Sequence, residues 1–480
     1  MPLDFLSNFD NTVGRWAITL VGFILFMFLV ARRRSMRRSA EKKPAFTQDD
    51  IVVDWGPDPG GQVTVQPWMR TDQVKAVLAA ITRDGKEARF IGGCVRDTLL
   101  KRPVTDIDIA TQEPPERVLR LLEDADIYAI PTGLKHGTVT AVAGGQSFEI
   151  TTLRKDIKTD GRHAIVEFTD DWRLDAARRD FTFNTMSATP DGMVYDYFNG
   201  IQDLAGRVIR FVGRAQERID EDRLRILRYF RFIAVLGMRI GDKYEFQICV
   251  NNARHLPELS GERIRAELFK ILDSDDQFDA LKLMIDHGVM QYILPEAEKT
   301  ERLKRLMWLE TSAIKYDSVV PDRIRRLAAL IDTNTAGAGE IARRLRFSRA
   351  DREHLKNLAE PRWKASHEAG EDALRGALHR LGAAEVIDLT LLTWAEQLII
   401  TPRLDPGEKD GWQSVIGIAD AWTPVEFPLR GRDVLSLGAE EGPRVSELLS
   451  EVEDWWEEDG CHQGRETCLQ ELRRRFENSN

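Results

Sequence analysis

The stretch FIGGCVRDTLLKRPVTDIDIAT, Phe90 to Thr111, narrows what this chain can fold into more than any other. An apolar run, Ala88 to Ile91, predicts a strand, and two glycines then turn the chain. Val95 to Leu100 predicts a helix, and Asp106 to Ala110 alternates as a second strand. On a strand, side chains two apart share a face. Asp106 and Asp108 therefore stand side by side, with Ile107 and Ile109 turned to a core. Two like charges this close are unfavourable alone and call for a cation. Hard oxygen ligands beside phosphate favour magnesium. Glu149, flanked by Phe148 and Ile150 on a later predicted strand, is a third acid of the same kind. Three acids on neighbouring strands suit a two-metal site for phosphoryl transfer. Gly92 and Gly93 let the backbone approach a phosphate with no Cβ in the way, and Arg96 can fork onto one. A lone Asp-x-Asp is weak evidence, since many are solvated loops. The glycine pair, Val95-Arg96-Asp97 and Asp-Ile-Asp at this offset are specific together.

A chain of 480 residues exceeds one hydrophobic core, so about three or four domains are expected. The net charge is −10, so nucleic acid would have to be met by local basic patches. Cys94, Cys249, Cys461 and Cys468 form no CxxC pair, which argues for free thiols over a disulfide scaffold or zinc ribbon. Cys461-His462 with Cys468 is at most half a metal site. Trp16 to Ala31 is uncharged and almost wholly apolar, and with Val13 to Arg15 it predicts a membrane-spanning helix. Arg32, Arg33, Arg34, Arg37 and Arg38 follow it, which puts its C-terminal side in the cytoplasm. No basic leader and no small-residue cleavage site accompany it, so residues 13–31 read as an inner-membrane anchor, not a removed signal peptide. The competing reading is a misassigned start codon, with the segment never made. Arg32 to Gln66 reads as a linker.

From Trp68 to Asp191 the pattern is mixed α/β. A helix is expected at Asp72 to Asp84 and another opened by Pro114-Pro115, with strands at Gly137 to Ala143 and Ser147 to Leu153. From Gly206 onward the pattern is helical and carries no strand signal, with helices at Asp222 to Val235, Gly261 to Leu272, Gln277 to Asp286 and Pro443 to Glu457.

Two further stretches carry chemistry. In DAARRDFTFNT, Asp175 to Thr185, the cluster Arg178, Arg179, Asp180 and Asn184 fits a sugar site. There Asp would accept from hydroxyls, and Asn would both donate and accept. It fits equally a helix start with a structural ion pair. In IDEDRLRILRYFRF, Ile219 to Phe232, the residues Asp222, Arg225, Arg228 and Arg231 recur every three positions, so neighbours share a helix face. Ordinary salt bridges explain such a face less well when three arginines meet one acid. Cytosine and adenine both present an amino donor beside a ring-nitrogen acceptor, whereas uracil and guanine present the reverse. An Asp that accepts and an Arg that donates can therefore pair with C or A and reject U and G.

On GGCVRD, DID, FEITTLR, DAARRDFTFN and EDRLRILRYFRF, the chain resembles the class II CCA-adding tRNA nucleotidyltransferase and bacterial poly(A) polymerase superfamily, from Val65 to its end. The resemblance implies an α/β nucleotidyltransferase head of the polymerase β kind, followed by an all-α neck, body and tail. The domains would be a membrane anchor and linker over 1–62, the head over 63–192, nucleotide-selecting neck helices over 193–275 and a tRNA-binding body and tail over 276–480. It implies catalysis at Asp106, Asp108 and Glu149, with magnesium on Asp106 and Asp108. Nucleotide binding would fall to Gly93, Arg96, Arg179, Asp180 and Asn184, the last two at the ribose and Arg179 at phosphate. Asp222 and Arg225 would be the base-reading pair, with Arg228 and Arg231 as further nucleotide contacts. The polar loop Arg154 to Ala164 corresponds to the family's flexible loop, although a plain connector fits its residues as well. The family usually has Asn-Ala where this chain has Asn184-Thr185, a small departure.

The implied reaction adds C, C and A to tRNA 3′ ends from CTP and ATP and releases pyrophosphate. A poly(A) polymerase is the alternative, and an idle, membrane-tethered RNA-binding protein is a third reading. PTGLKHGTVTAV, Pro131 to Val142, and the tail Phe427 to Trp456 resemble CCA-adding members more. No His-Asp pair occurs in the helical half, so the phosphohydrolase domain of some relatives is not expected. Arg343, Arg344, Arg346 and Arg349 are candidate tRNA contacts, against the plainer reading of a solvated basic face.

Overall fold

The computed structural model describes residues 52–54, 60–159, 164–274 and 277–478. The expected anchor over 13–31 lies outside the described residues. Among the described residues, no helix is long and apolar enough to cross a membrane. The chain divides into two compact units. One holds the described residues up to Arg154 together with Phe168–Ala176 and Phe183–Gly206. The other holds Lys155–Glu167, Ala177–Thr182 and everything from Arg207.

The strands in chain order are β1 (Val52–Asp54), β2 (Gly60–Gln62), β3 (Ala88–Ile91), β4 (Ile107–Thr111), β5 (Tyr128–Gly133) and β6 (Thr138–Ala143). There follow β7 (Gln146–Thr152), β8 (Arg154–Thr159), β9 (Ala164–Phe168), β10 (Ser187–Ala188) and β11 (Met193–Tyr195). The first unit is built on a nine-stranded sheet in the order β1-β2-β11-β10-β3-β4-β7-β6-β5. Its neighbours pair antiparallel except β4 and β7, which run parallel in the register Ile107↔Phe148, Asp108↔Glu149 and Ile109↔Ile150. Ile107, Ile109, Phe148 and Ile150 are buried, so Asp108 and Glu149 emerge together on the opposite face.

Helices cover the buried face. Asp72–Ile81 buries Val74, Val77, Leu78 and Ile81, an i, i+3, i+4, i+7 stripe, and Thr71 caps it by accepting the Val74 N–H at 3.3 Å. Such a cap stabilises a helix by about 1 kcal/mol. Pro115–Glu123 starts with proline at its first turn and buries Val118, Leu121 and Leu122. Arg89 is buried on β3 because its guanidinium stacks over Trp172 (4.2 Å) and Tyr195 (3.5 Å) and forks onto Glu87.

The structure corrects several expectations. Asp106 precedes β4 and has no ladder partner in it; the strand starts at Ile107. The segment read as the end of a linker supplies the sheet edge, β1 and β2, where Val63 N–H donates to Gly192 O at 2.9 Å. The loop read over Arg154 to Ala164 is partly the two-stranded sheet of β8 and β9. The half read as free of strand holds one parallel pair of two residues each, β12 (Val208–Ile209) and β13 (Arg239–Ile240). The helix read as starting at Asp222 begins at Leu224 and runs to Leu236, and a separate helix ends at Glu221.

The second unit is otherwise helical. Near its start, Phe181, Phe211, Tyr229 and Phe232 pack ring to ring, 4.9 to 6.2 Å apart, around the bridge Phe181↔Phe211. At its end, Leu448, Val452 and Trp456 of helix Pro443–Glu458 meet Leu429, Val434, Cys461, Cys468 and Leu472 in a separate core. All four cysteines are buried free thiols, as their spacing suggested.

Candidate active site

In the first unit the site forms where β3 turns into the helix Gly93–Leu99 and β4 runs beside β7. Gly92 sits at φ 67°, ψ −124°, a conformation that a Cβ strains, so the turn needs glycine there. Gly93 is the first helical residue, and a Cβ on it would meet only the Arg96 guanidinium, at 3.6 Å. Arg96 forks onto its neighbour Asp97 (3.0 and 2.8 Å) and donates from Nη1 to Asn184 Oδ1 at 2.9 Å. The structure thus brings Gly93, Arg96 and Asn184 together, although Asn184 lies 88 positions on. Cys94 packs beneath them and donates to Ile91 O at 3.2 Å; burial pushes its thiol up to about 12, so it serves packing, not chemistry.

Asp108 is half-buried, while Asp106 and Glu149 are exposed. The ligand atoms of these three acids do not all lie within 4.8 Å of one another. Asp108 and Glu149 are nonetheless directly opposed on one face, with Asp106 at the mouth of the same strand. Open, all-oxygen donors with room for water and phosphate oxygens fit magnesium, which keeps several waters and takes one or two carboxylates.

In the second unit each remaining residue has a partner. Asp180 is buried; its Oδ1 accepts the Phe181 N–H at 2.9 Å and its Oδ2 pairs with Arg228 Nε at 2.6 Å. Asp180 holds the Arg228 guanidinium above its ordinary pKa despite burial. Arg231 pairs with the buried Glu267 at 2.9 Å and stacks over Phe232 at 4.3 Å. Arg225 is fixed by the Glu221 carboxylate, by Arg218 O at 2.9 Å and by Arg178 O at 3.0 Å. Asp222 takes the Leu224 N–H on Oδ1 (3.1 Å) and Arg263 Nη2 on Oδ2 (2.8 Å). Arg179 is half-buried beside Asp180.

This overturns one inference from the spacing. The three arginines do not share one acid, because Arg225 pairs with Glu221, which Arg218 also meets, Arg228 with Asp180 and Arg231 with Glu267. Nor do Asp222 and Arg225 share a helix face, since Asp222 lies outside the helix with φ −155° and ψ 107°. Sequence reasoning missed Arg263 and Glu267. One signal was available: Glu267 interrupts the apolar stripe Ile264, Leu268, Ile271, and an acid on a buried face calls for a cation. Of the candidate tRNA contacts, Arg343 pairs with Glu340 in solvent and Arg344 with Glu296.

Comparisons with known proteins add the following. The profile of the Poly A polymerase head domain matches residues 88–210, and that of the "Probable RNA and SrmB- binding site of polymerase A" matches residues 245–300. The mitochondrial CCA tRNA nucleotidyltransferase 1 of Danio rerio is 34% identical over 406 residues, 84% of this chain and 90% of that protein. The CCA-adding enzyme of Anoxybacillus flavithermus is 30% identical over 79% of this chain and 91% of its own. Among solved structures, the Bacillus stearothermophilus CCA-adding enzyme in complex with CTP superposes with a TM-score of 0.69 at 27% identity, over 86% of this chain and all of that one.

Proposed function

The chain belongs to the CCA-adding tRNA nucleotidyltransferase family, and from that premise we propose that it adds C, C and A to tRNA 3′ ends from CTP and ATP without a nucleic-acid template. The observation that carries the chemistry is the parallel register Asp108↔Glu149, which sets two carboxylates on the solvent face of one sheet beside the glycine turn. The tRNA 3′-hydroxyl loses its proton to solvent as its oxygen bonds to the α-phosphorus, the α–β bridge breaks and pyrophosphate leaves with its electron pair. Asp106 and Asp108 would hold magnesium, which when bound makes the hydroxyl a better nucleophile and offsets charge on the leaving group. In the first unit Arg96, braced by Asp97 and Asn184, offers a fixed guanidinium for phosphate, and Asn184 would serve the ribose. In the second unit Arg179 would serve phosphate and Asp180 the ribose. Residues 63–192 would do the chemistry, 193–275 select the nucleotide and 276–480 hold the tRNA. Residues 13–31 would tether the enzyme to the inner membrane with its catalytic part in the cytoplasm.

The test uses full-length protein kept in mild detergent, with magnesium and a tRNA transcript lacking its terminal CCA. CTP alone should add two residues, and ATP should then add one and stop. A long ladder from ATP alone would make the chain a poly(A) polymerase. No extension in either condition sinks both.

Base choice supplies a second expectation. Glu221 and two carbonyls hold the Arg225 guanidinium, and Arg263 orients the Asp222 carboxylate, so a base would meet groups already in place. Arg225→Ala should lower the preference for CTP over UTP in kcat/KM by roughly 10- to 100-fold, the scale of a bidentate base contact. Transfer of C itself should fall less. Wild-type selectivity in this variant would show that Arg225 does not read the base.

A further inference from the structure

A cluster outside the catalytic machinery has the donors and spacing of a metal site. Helices Glu371–Leu381 and Pro443–Glu458 pack closely in the second unit, and Gly376 makes this possible: a Cβ there would meet Glu457 O at 2.5 Å. The close approach brings His379 to Glu453 and Glu457, which stand i, i+4 on the facing helix. His379 Nε2 lies 3.2 Å from Glu453 Oε1 and 3.8 Å from Glu457 Oε1, and ligand atoms of all three residues lie within 4.8 Å of one another. Glu457 gives its other oxygen, Oε2, to Arg380, which leaves Oε1 facing the histidine. Trp456 packs its ring edge-on to His379 with centroids 5.0 Å apart, which fixes the imidazole plane.

The spacing around the histidine suits a shared ligand. His379 Nδ1 is 3.2 Å from the Val425 carbonyl, which can only accept, so Nδ1 carries a proton. Nε2 faces two carboxylate oxygens, Glu453 Oε1 within hydrogen-bond distance at 3.2 Å and Glu457 Oε1 beyond it at 3.8 Å. A second ring proton would serve Glu453 alone, whereas a cation in this space would be shared by all three groups. A tetrahedral zinc with bonds of about 2.0–2.1 Å holds its ligand atoms about 3.4 Å apart, which the observed 3.2 and 3.8 Å bracket. The N–H to a main-chain carbonyl on the far side of the ring is the usual outer support of a metal-bound histidine. Glu453 is the most exposed of the three, so the fourth position opens to water on its side.

We propose that His379, Glu453 and Glu457 bind one divalent transition-metal ion, zinc by the donor set, and that it staples the segment at Val425 and these two helices together. The site uses none of the carboxylates of β4 and β7. Full-length protein, stripped with chelator and dialysed against micromolar zinc, should retain one zinc per chain by mass spectrometry of the metal. Its thermal midpoint should rise by several degrees with zinc and fall back with chelator. Glu453→Gln, which keeps side-chain size at a half-exposed position, and His379→Gln should each lose that zinc and that shift. Asp108→Asn should keep both, which separates this site from the catalytic one. The proposal fails if the wild type holds no zinc, if either variant holds as much as the wild type, or if Asp108→Asn abolishes the uptake.

Discussion

Asp108→Asn should lower nucleotide transfer by about three orders of magnitude or more while the protein stays fully folded. The side chain keeps its volume and its place on β4, flanked by the buried Ile107 and Ile109. What changes is charge. The carboxylate that should anchor magnesium becomes an amide, a far weaker ligand for a hard cation. Metal stabilisation of a phosphoryl-transfer transition state amounts to several kcal/mol, and each ~1.4 kcal/mol is a factor of ten in rate. Folding should hardly respond. Asp108 faces Glu149 directly across the parallel pair, and like charges in that position repel. Neutralising one removes that repulsion, and the thermal midpoint should stay close to that of the wild type. Single-turnover extension of a tRNA lacking CCA, with a melting curve on the same preparation, reads both. A variant within tenfold of wild-type rate would remove Asp108 from catalysis. A lost rate with a collapsed midpoint would say that its role is structural.

The carboxylate strand was legible because β4 alternates over its first three residues: Ile107 and Ile109 go in and Asp108 comes out. The glycine turn was legible because the backbone at Gly92 admits little else. Where burial is not one-sided, the sequence is silent. β8 and β9 carry Ile157 and Ile165 in solvent, 60% and 62% exposed, so there is no alternation to read and RKDIKT passes for a loop. β1 (Val-Val-Asp) and β2 (Gly-Gly-Gln) are three residues each, too short to show alternation, so the segment looks like linker. At Asp222 two local rules competed. The i, i+3 pattern predicted helix, but the carboxylate takes the Leu224 N–H and interrupts it. The pairs Asp180–Arg228 and Arg231–Glu267 join residues 48 and 36 positions apart, and no local spacing encodes them.

Glu310→Gln should be among the most destabilising single changes in the second unit, at about 3–5 kcal/mol, the cost of breaking a buried ion pair from one side. The Glu310 side chain has no solvent exposure. Its Oε1 accepts from Arg325 Nε (2.8 Å) and Nη2 (2.6 Å), and its Oε2 accepts from Arg326 Nε (2.7 Å). Arg325 reaches on to Asp388 at 2.5 Å, whose other oxygen meets His354 at 2.7 Å. Arg326 donates to the carbonyls of Leu272 (2.7 Å) and Ser274 (3.1 Å). One carboxylate therefore ties the helix Arg323–Leu330 to the turn Leu309–Ala313, and the network extends to helices Arg349–Ala359 and Ala383–Ile400 and to the end of Gly261–Leu272. Burial works against the charge on Arg325, and Asp388 with Glu310 more than reverses it, leaving its pKa raised. Glutamine keeps the shape but leaves two buried guanidiniums with Asp388 as the one charged acid of the network. Glu340, paired with Arg343 in solvent, is the control: Glu340→Gln should leave the unfolding midpoint where it is. Urea unfolding followed by tryptophan fluorescence suits the comparison, because Trp394 is buried in helix Ala383–Ile400. Equal midpoints for the two variants would show that Glu310 bears no more of this unit's stability than a surface pair.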